Sequence, residues 1–478
     1  MKYIISILII AAFSFTTAAA QYGSFGVSDA QSMGMGNTHN SFGYGIMSIG
    51  KNPALLLSPK SDSSRFIDFQ ILGLSASAST NSVSFDLLNN YFVADSNGNA
   101  QDINTDQKQE ILDAFSDEGK FAVSSAIRPI AISWMPSREI GVFAFSMDFI
   151  ASGDFVMPQS AMDFILYGNK ENSSYSFDEL FGKTWALQTY ALSYAREIYT
   201  AEDENSLLQN VSGGISLKMV QGLAYFGTEE VSTEFSTGEY NRITGHVNIL
   251  THSAFSPDFG YDYDYENEVT KSNAGFFNEP AGSGFGVDLG FSAELNIGLM
   301  IGLAITDIGS IAWDTHCAAH EAETEIYMDA ADADQIDSIS NSFDLNGYEI
   351  DGFDTPLPTA LRLGVAYDMT QKFKSIPGNL ILAFDYNQGF NDAPGNSTTP
   401  RISLGAQWRQ NSPYIPVIST GFTNDRVGKL RWSMGLGLIT SGLDIRLATY
   451  DLLSLIDPNS SPVHVSAAFS MIWRINHK

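Results

Sequence analysis

The feature that most constrains this chain is an alternation of apolar and polar side chains along segments of about ten residues. In 284–295 every second residue is apolar, and glycine, serine, aspartate and glutamate stand between them. Successive side chains of a β-strand point to opposite faces, so this pattern predicts strands with one apolar face. Sixteen segments, some of them bends, carry the pattern: 65–77, 121–134, 140–150, 184–196, 211–222, 223–236, 241–255, 284–295, 298–309, 359–370, 379–389, 401–409, 415–422, 430–439, 442–450 and 463–475.

Two architectures fit such strands: a soluble sandwich with an apolar core, or a membrane barrel with its apolar face toward lipid. Soluble strands average roughly 5–6 residues, whereas a tilted strand that crosses a bilayer needs roughly 9–11, which most of these segments reach. The inward faces are polar and suit a wet lumen. We therefore predict an all-β fold: a closed antiparallel transmembrane β-barrel of about 14 strands, with sixteen as the alternative count.

The first residues have the order of a secretory leader. Lys2 precedes an apolar run at 3–15, and small residues at Ala18 and Ala20 precede Gln21. This order predicts a signal peptide at 1–20 that is removed on export. Combined with the barrel, it predicts a protein of the bacterial outer membrane, whose lipid surrounds it. Cys317 is the only cysteine, so the chain has no internal disulfide.

The net charge of the chain limits the classes of partner that it can bind. Lys and Arg number 25 against 54 Asp and Glu, a net charge of −29, which excludes a nucleic-acid binder because such proteins need basic patches. Acidic residues concentrate in 255–277 and 310–355, which we predict to be long extracellular loops of a barrel formed by 61–478. Helical spacing at 104–119 predicts one short helix at the barrel mouth.

The sequence contains only weak motifs for catalysis or metal binding. His316, Cys317 and His320 lack a fourth zinc ligand. The acidic stretch 262–266 lacks the glycine turn of an EF-hand, so calcium binding by the acidic loops stays open. No Gly-x-Ser-x-Gly turn and no phosphate loop occur. We predict no enzyme, no cofactor and no metal, and interpret as structural the scattered carboxylates Asp154, Asp163, Asp258, Asp288 and Asp385.

Two short motifs stand near the start of the predicted mature chain: Met-Gly-Met-Gly-Asn at 33–37 and Lys-Asn-Pro-Ala-Leu-Leu at 51–56. In this order they resemble the N-terminal region of the FadL-type and PorV/PorQ-type outer-membrane barrels. The resemblance implies that 21–60 form a hatch inside the barrel. The hatch or gating residues that it implies are Gly34, Gly36, Asn52, Pro53 and Ala54.

A second resemblance runs along more of the chain. The pieces 166–169, 217–225, 284–290 and 385–392 resemble an uncharacterised family of Bacteroidetes-type outer-membrane barrels related to the PorV group. That family has no assigned chemistry. The resemblances imply a FadL-like passive conduit for a small hydrophobic ligand. The alternative that they imply is a PorV-like barrel that acts as a binding platform or shuttle for a secreted or surface protein without transporting anything.

Overall fold

The structure is a computed structural model of the chain. It describes residues 29–57, 65–92, 103–116, 118–168, 170, 173–239, 242–261, 272–328, 346–371, 373, 375–424, 430–456 and 462–477. The predicted signal peptide and the acidic stretch 262–266 lie outside these ranges. Within them, no helix has both the length and the apolar character needed to cross a bilayer.

Strands make up most of the described chain, and they all belong to one sheet. Their bounds are β1 Arg65–Ser84, β2 Gly119–Ser137, β3 Gly141–Met157, β4 Ser174–Ser176, β5 Phe181–Thr200, β6 Leu208–Thr237, β7 Ile243–Phe255, β8 Gly282–Leu295, β9 Leu299–Trp313, β10 Cys317–Met328, β11 Asn346–Glu349, β12 Phe353–Pro356, β13 Ala360–Asp368, β14 Asn379–Gly389, β15 Arg401–Arg409, β16 Val417–Asn424, β17 Leu430–Ile439, β18 Leu443–Thr449 and β19 Pro462–His477.

Fourteen of these strands form a closed antiparallel barrel wall. In ring order they are β1, β2, β3, β5, β6, β8, β9 and β13 to β19. The ring closes where β19 pairs with β1, from Arg65 opposite His477 to Ser84 opposite Pro462. Closure leaves no wall strand with an unpaired edge, as a bilayer requires. The predicted barrel and its strand number are confirmed.

The outer surface of the wall is apolar, as the alternation predicted. In β8, Phe285 is 75% exposed and Phe291 52% exposed, whereas Asp288 between them is fully buried. In β13, Leu363 and Val365 are exposed, and Gly364 between them is buried. Large apolar side chains that would be unfavourable in water thus face outward along the wall, where lipid covers them.

The two ends of the barrel differ. At one end, here called the short-turn end, the connections 138–140, 296–298 and 440–442 join wall strands directly. At the opposite end, called the long-loop end, much longer connections leave the wall, including the one between β1 and β2 and the one between β9 and β13. Membrane barrels have this asymmetry, with short periplasmic turns and longer extracellular loops.

The prediction that 310–355 form a loop is wrong in part. Strand β9 continues to Trp313, and the residues after it contain β10, β11 and the start of β12. In β10 the exposed Glu323 and Glu325 alternate with the buried Ala322 and Ile326. The acidic content hid this alternation. Residues 211–222 and 223–236, predicted as two strands, form one strand, β6. Beyond the wall, β6 pairs with β4 and β7, and β7 pairs with β10. These strands extend the same sheet outside the barrel wall.

Two helices pack together at the long-loop end. The predicted helix is present as Thr105–Ala114, with Asn104 and Gln107 forming a capping box at its start. The sequence analysis did not foresee the helix Gln159–Tyr167. Ile111 and Met162 from the two helices share an apolar cluster. Apolar residues at 161, 162, 165 and 166 have the spacing of one helix face, which was the missed signal.

Candidate functional site: the N-terminal segment inside the barrel

Residues 29–57, here called the N-terminal segment, lie within the ring of strands. Its first helix, Ala30–Gly34, packs on β16, β17, β18 and β19, and its last turn, Pro53–Leu56, packs on β5, β6 and β8 at the opposite side of the ring. Every residue of the segment except Tyr44 is buried. The segment therefore spans the lumen from wall to wall.

An ion pair joins the two ends of the N-terminal segment. The Asp29 carboxylate caps the helix by accepting from the N–H groups of Gln31 (2.7 Å) and Ser32 (2.9 Å). The Lys51 ammonium contacts the same carboxylate and donates to Ser32 Oγ at 2.7 Å. Because both charges are buried and paired, the ends of the segment are held together as one compact unit.

Glycines of the wall face the N-terminal segment. A methyl group at Gly302 would overlap the carbonyl oxygen of Asn40, and one at Gly421 would overlap the backbone of Met35. Only glycine permits so close an approach of two backbones. The facing glycines are Gly214, Gly290, Gly302, Gly364, Gly405, Gly421 and Gly435. The interpretation of the inward glycines as the lining of a wet lumen is therefore wrong at these positions, because the segment covers them.

The first motif of the segment lies against β16 and β17. A methyl group on Gly34 would stand 2.8 Å from the Cα atom of Gly435. Gly36 has a φ of +65°, which favours glycine, and it lies beside the backbone of Phe422. Both glycines of the motif are thus required by close approach or by backbone conformation.

The second motif lies against β6 and β8. Asn52 Nδ2 donates to the carbonyl oxygens of Asn40 (3.0 Å) and Phe291 (3.2 Å), and Asn52 Oδ1 accepts from the N–H of Ala54 at 3.1 Å. Pro53 follows Asn52 and packs on the backbone of Gly214 and on Gly290. Asn52 therefore links the turn to the wall and to the middle of the segment. Pro53 and Ala54 pack against Gly214 of the wall.

Sequence reasoning missed the wall residues that anchor the middle of the segment. Asp385 on β14 accepts from the N–H groups of His39 (2.7 Å) and Asn40 (3.0 Å), and Asn387 Oδ1 accepts from Asn40 Nδ2 at 3.0 Å. Both side chains occupy inward positions of β14. The missed signal was an aspartate and an asparagine at alternate positions of a strand whose other face is apolar.

Ion pairs fill much of the remaining inner wall. Arg128 binds Asp148 through two nitrogens, at 2.7 and 3.2 Å, and its third nitrogen donates to the carbonyl oxygen of Ile46 at 3.3 Å. Lys218 lies between two aspartates and is 2.8 Å from Asp288. Further pairs are Lys218 with Asp307, Arg431 with Asp451, Arg446 with Asp444, and Arg474 with Asp68. Most of these pairs join different strands of the wall, whereas Arg446 and Asp444 lie on the same strand, β18.

His39 is the most unusual polar group of the segment. It is 1% exposed, and neither ring nitrogen has a hydrogen-bond partner among the described residues. Burial, assisted by the positive charge of Lys51, lowers the pKa of His39 to about 3, so the imidazole is neutral at neutral pH. Burial also lowers the pKa of Lys51 against the opposing attraction of Asp29. Burial alone would raise the pKa of Asp29, but Lys51 outweighs it and keeps this carboxylate charged.

Above the N-terminal segment, toward the long-loop end, apolar side chains form a large buried cluster. The Tyr225 and Trp313 rings lie 5.4 Å apart there, and Trp185 is 2% exposed. We call this group the lumen cluster; its members are Ala126, Ile150, Trp185, Leu187, Val220, Tyr225, Ala254, Ala281, Ile311, Trp313, Cys317, Leu357 and Ala393. The N-terminal segment is thus held mainly by backbone contacts and hydrogen bonds, whereas the long-loop half combines this apolar cluster with polar groups such as the Arg431–Asp451 pair.

The carboxylates considered as catalytic pairs lie apart and bind different partners. Asp163 pairs with the exposed Lys170, Asp258 accepts from the N–H of Glu279, and Asp154 accepts from the N–H of Gly395. Asp288 and Asp385 hold Lys218 and the N-terminal segment, as described above. In the described part of the chain no three His, Cys, Asp or Glu side chains lie close enough together to share a metal ion, and this includes His316, Cys317 and His320.

Comparison with known protein families shows which family the chain belongs to. The family model described as a family of unknown function, DUF5723, matches residues 58–439, which is most of the chain. The chain belongs to the DUF5723 family. The matched residues begin after the N-terminal segment and include the wall from β1 to β17. No protein with a curated description matches this sequence.

Several solved structures are similar to this DUF5723 chain. The toluene transporter TodX of P. putida has 11% identity and a TM-score of 0.45, over 94% of this chain and 99% of that one. The monoaromatic hydrocarbon channel CymD has 12% identity and a TM-score of 0.41, over 96% and 99%. A Pseudomonas aeruginosa FadL homologue has 11% identity and a TM-score of 0.26, over 95% and 100%. Similarity at this level carries no argument about function, and the expected Bacteroidetes-type affiliation receives no support from it.

Proposed function

We propose that this barrel is a passive conduit for small hydrophobic molecules in a bacterial outer membrane, and that the N-terminal segment is its hatch. The observation that carries the proposal is the lumen cluster. An aqueous pore has a polar, water-filled interior. Here a cluster of apolar and aromatic side chains occupies part of the long-loop half, which suits a hydrophobic ligand and disfavours ions and sugars.

The contacts of the N-terminal segment support a movable hatch. Its polar bonds to the wall are few: Asn52 to Phe291, Asp385 to His39 and Asn40, Asn387 to Asn40, Ala30 to Ser470 and Arg128 to Ile46. Net contributions are about 0.5–1.5 kcal/mol for each neutral bond and about 1.5–3 kcal/mol for each bond to a charged group. No disulfide ties the segment to the wall, since Cys317 is the only cysteine of the chain. Its internal Asp29–Lys51 pair lets the segment move as one body.

Bilayer recordings and uptake assays with three proteins test this proposal. The first is the full chain, the second lacks 29–57, and the third joins the segment to β19 through a disulfide by Ala30→Cys and Ser470→Cys, since Ala30 N lies 3.2 Å from Ser470 Oγ. We expect little ion conductance from the full chain and steady conductance from the deletion. Uptake of a small aromatic hydrocarbon by the full chain should exceed that of empty membranes and should fall in the oxidised disulfide variant.

The matched control is the same double-cysteine variant after reduction, which should regain uptake. A full chain that admits the hydrocarbon no faster than empty membranes would contradict the proposal, and so would equal uptake by the oxidised and reduced variants. The binding-platform alternative gains no specific contact from the described residues and stays a prediction.

A further inference from the structure

The connection between β14 and β15 folds into the lumen instead of outward. We call residues 390–400 the inward loop. Ala393 is 6% exposed, Asn396 is fully buried and Ser397 is 4% exposed. Asn396 Nδ2 donates to the carbonyl oxygens of Thr359 (3.1 Å) and Asn391 (3.0 Å), so the base of the loop is a compact turn tied to its own side of the barrel.

The tip of the inward loop reaches the far wall. The N–H of Gly395 donates to Asp154 Oδ2 on β3 at 3.1 Å. In the ring, five wall strands separate β3 from β14 on one side and seven on the other, so the loop crosses nearly the whole lumen. Gly395 has a φ of +79°, and a methyl group there would stand 2.9 Å from Ser152 Oγ. Glycine is thus needed at the tip both for its conformation and for the contact.

The inward loop brings two kinds of group to one place. Ala393 joins the lumen cluster with Ala126 and Ile150, which lie on β2 and β3. Beside it the Gly395 N–H supplies a hydrogen-bond donor to Asp154, which is itself 8% exposed. A neutral amphiphile combines the same two kinds of group: an apolar body and one hydrogen-bond donor.

The charges near Asp154 indicate which head group would fit. Lys183 is directly opposite Asp154 in the pairing of β3 with β5. The Lys183 ammonium lies 3.8 Å from the carboxylate of Glu229 on β6. The three side chains therefore carry two negative charges and one positive charge. An anionic head group would be repelled here, whereas a neutral hydroxyl could donate to Asp154.

We infer that the inward loop occupies the binding position of the cargo on the long-loop side, and that the preferred cargo is a neutral amphiphile with one hydrogen-bond donor. Its donor takes the place of the Gly395 N–H at Asp154, and its apolar body replaces Ala393 against Ala126 and Ile150. A pure hydrocarbon leaves the Asp154 oxygen without the donor that the loop supplied, which weakens its binding. This inference rests on the proposed conduit and adds its substrate class.

Three probes that share a propylphenyl body test the inference: 4-propylphenol, 4-propylbenzoate and propylbenzene. Binding to the full chain in lipid nanodiscs is measured by equilibrium dialysis, with empty nanodiscs to subtract partition into lipid. We expect the phenol to bind at least about tenfold more tightly than the benzoate, with the hydrocarbon between them. Equal affinities of phenol and benzoate would overturn the inference.

Asp154→Asn separates the charge from the hydrogen bond, because asparagine keeps an acceptor oxygen in a side chain of the same shape. The variant should bind the benzoate about tenfold more tightly than the parent does, and the phenol within about threefold of the parent. Asp163→Asn, which removes a half-buried carboxylate on the helix Gln159–Tyr167 that pairs with Lys170, is the matched control and should change neither affinity. An unchanged ratio in Asp154→Asn would overturn the inference.

A disulfide between loop and wall tests whether the loop and the cargo compete. Gly395→Cys and Ser152→Cys bring two Cβ positions to about 3.1 Å, which is shorter than the roughly 3.5–4.5 Å of a disulfide, so the tip of the loop has to shift by a few tenths of an ångström when the bond forms. The oxidised variant should lose phenol binding at least about tenfold and regain it on reduction. Binding that survives oxidation would overturn the inference. Failure of all three probes to bind the parent would instead count against the proposed conduit itself.

Discussion

At the scale of single residues, His39 makes the packing of the N-terminal segment depend on pH. Its pKa is lowered to about 3 in the packed state, against about 6.5 for an exposed imidazole. The packed state is therefore fully stable above pH 6.5 and loses stability as the pH falls from 6.5 toward 3, by up to about 1.4 kcal/mol per pH unit. The charged groups that act on His39 are Lys51 and Asp29 in the segment and Arg362 and Arg446 in the wall.

We expect acid to release the segment. Because a maleimide reacts with the thiolate, the rate of Ala54→Cys is divided by the rate of free cysteine at the same pH. This relative rate should be low at pH 7 and much higher at pH 4.5, as seen by a mass shift on a gel. In the parent chain the single cysteine, Cys317, is buried and gives the background. His39→Asn should remove most of the pH dependence. Equal relative rates at the two pH values would contradict the role given to His39.

A second prediction concerns the facing glycines. Gly302→Ala places a methyl group where the carbonyl oxygen of Asn40 lies, so the segment cannot pack although the wall can still close. We expect frequent channel openings in planar bilayers, where the parent is mostly closed. Gly182→Ala is the control, since its methyl group would meet only the Phe155 ring, at 3.3 Å. A quiet Gly302→Ala barrel would show that the segment tolerates displacement from β9.

At the scale of the elements, the buried pair of Asp29 and Lys51 joins the start of the segment to its end. Removing one partner of a buried pair leaves an uncompensated charge and costs about 3–5 kcal/mol. Lys51→Met should therefore expose the Ala54→Cys thiol to maleimide at pH 7. Adding Asp29→Asn to Lys51→Met should restore part of the protection, because no unpaired charge remains. The same exposure in the single and double variants would contradict this account.

The elements also explain which predictions succeeded. Wall strands such as β8 and β13 were predictable because lipid on one side imposes a strict alternation. The inner side imposes no comparable rule, since glycine, serine and aspartate suit both water and a packed segment. Strand β10 was taken for a loop because its glutamates masked the buried Ala322 and Ile326. The inward loop was not predicted, because its small polar residues are equally typical of an exposed turn.

At the scale of the whole molecule, the apolar outer surface sets where the barrel can exist. Leu404 lies in the middle of β15 and is 54% exposed. Arginine at a lipid-facing midplane position costs about 2–4 kcal/mol, so Leu404→Arg should lower the free energy of folding into vesicles by that amount, seen as a lower urea midpoint. Leu404→Met is the control and should fold like the parent. An unchanged midpoint for the arginine variant would place Leu404 away from lipid.

The pairing of β1 with β19 also has a consequence for the order of assembly. The N-terminal segment precedes β1 in the chain, and the facing glycines come from strands β6 to β17, all before β19. The seam between the first and last strands is formed by the residues synthesised furthest apart. During biogenesis the N-terminal segment can thus pack on the wall strands while they still form an open sheet. The pairing of β1 with β19 then encloses the segment.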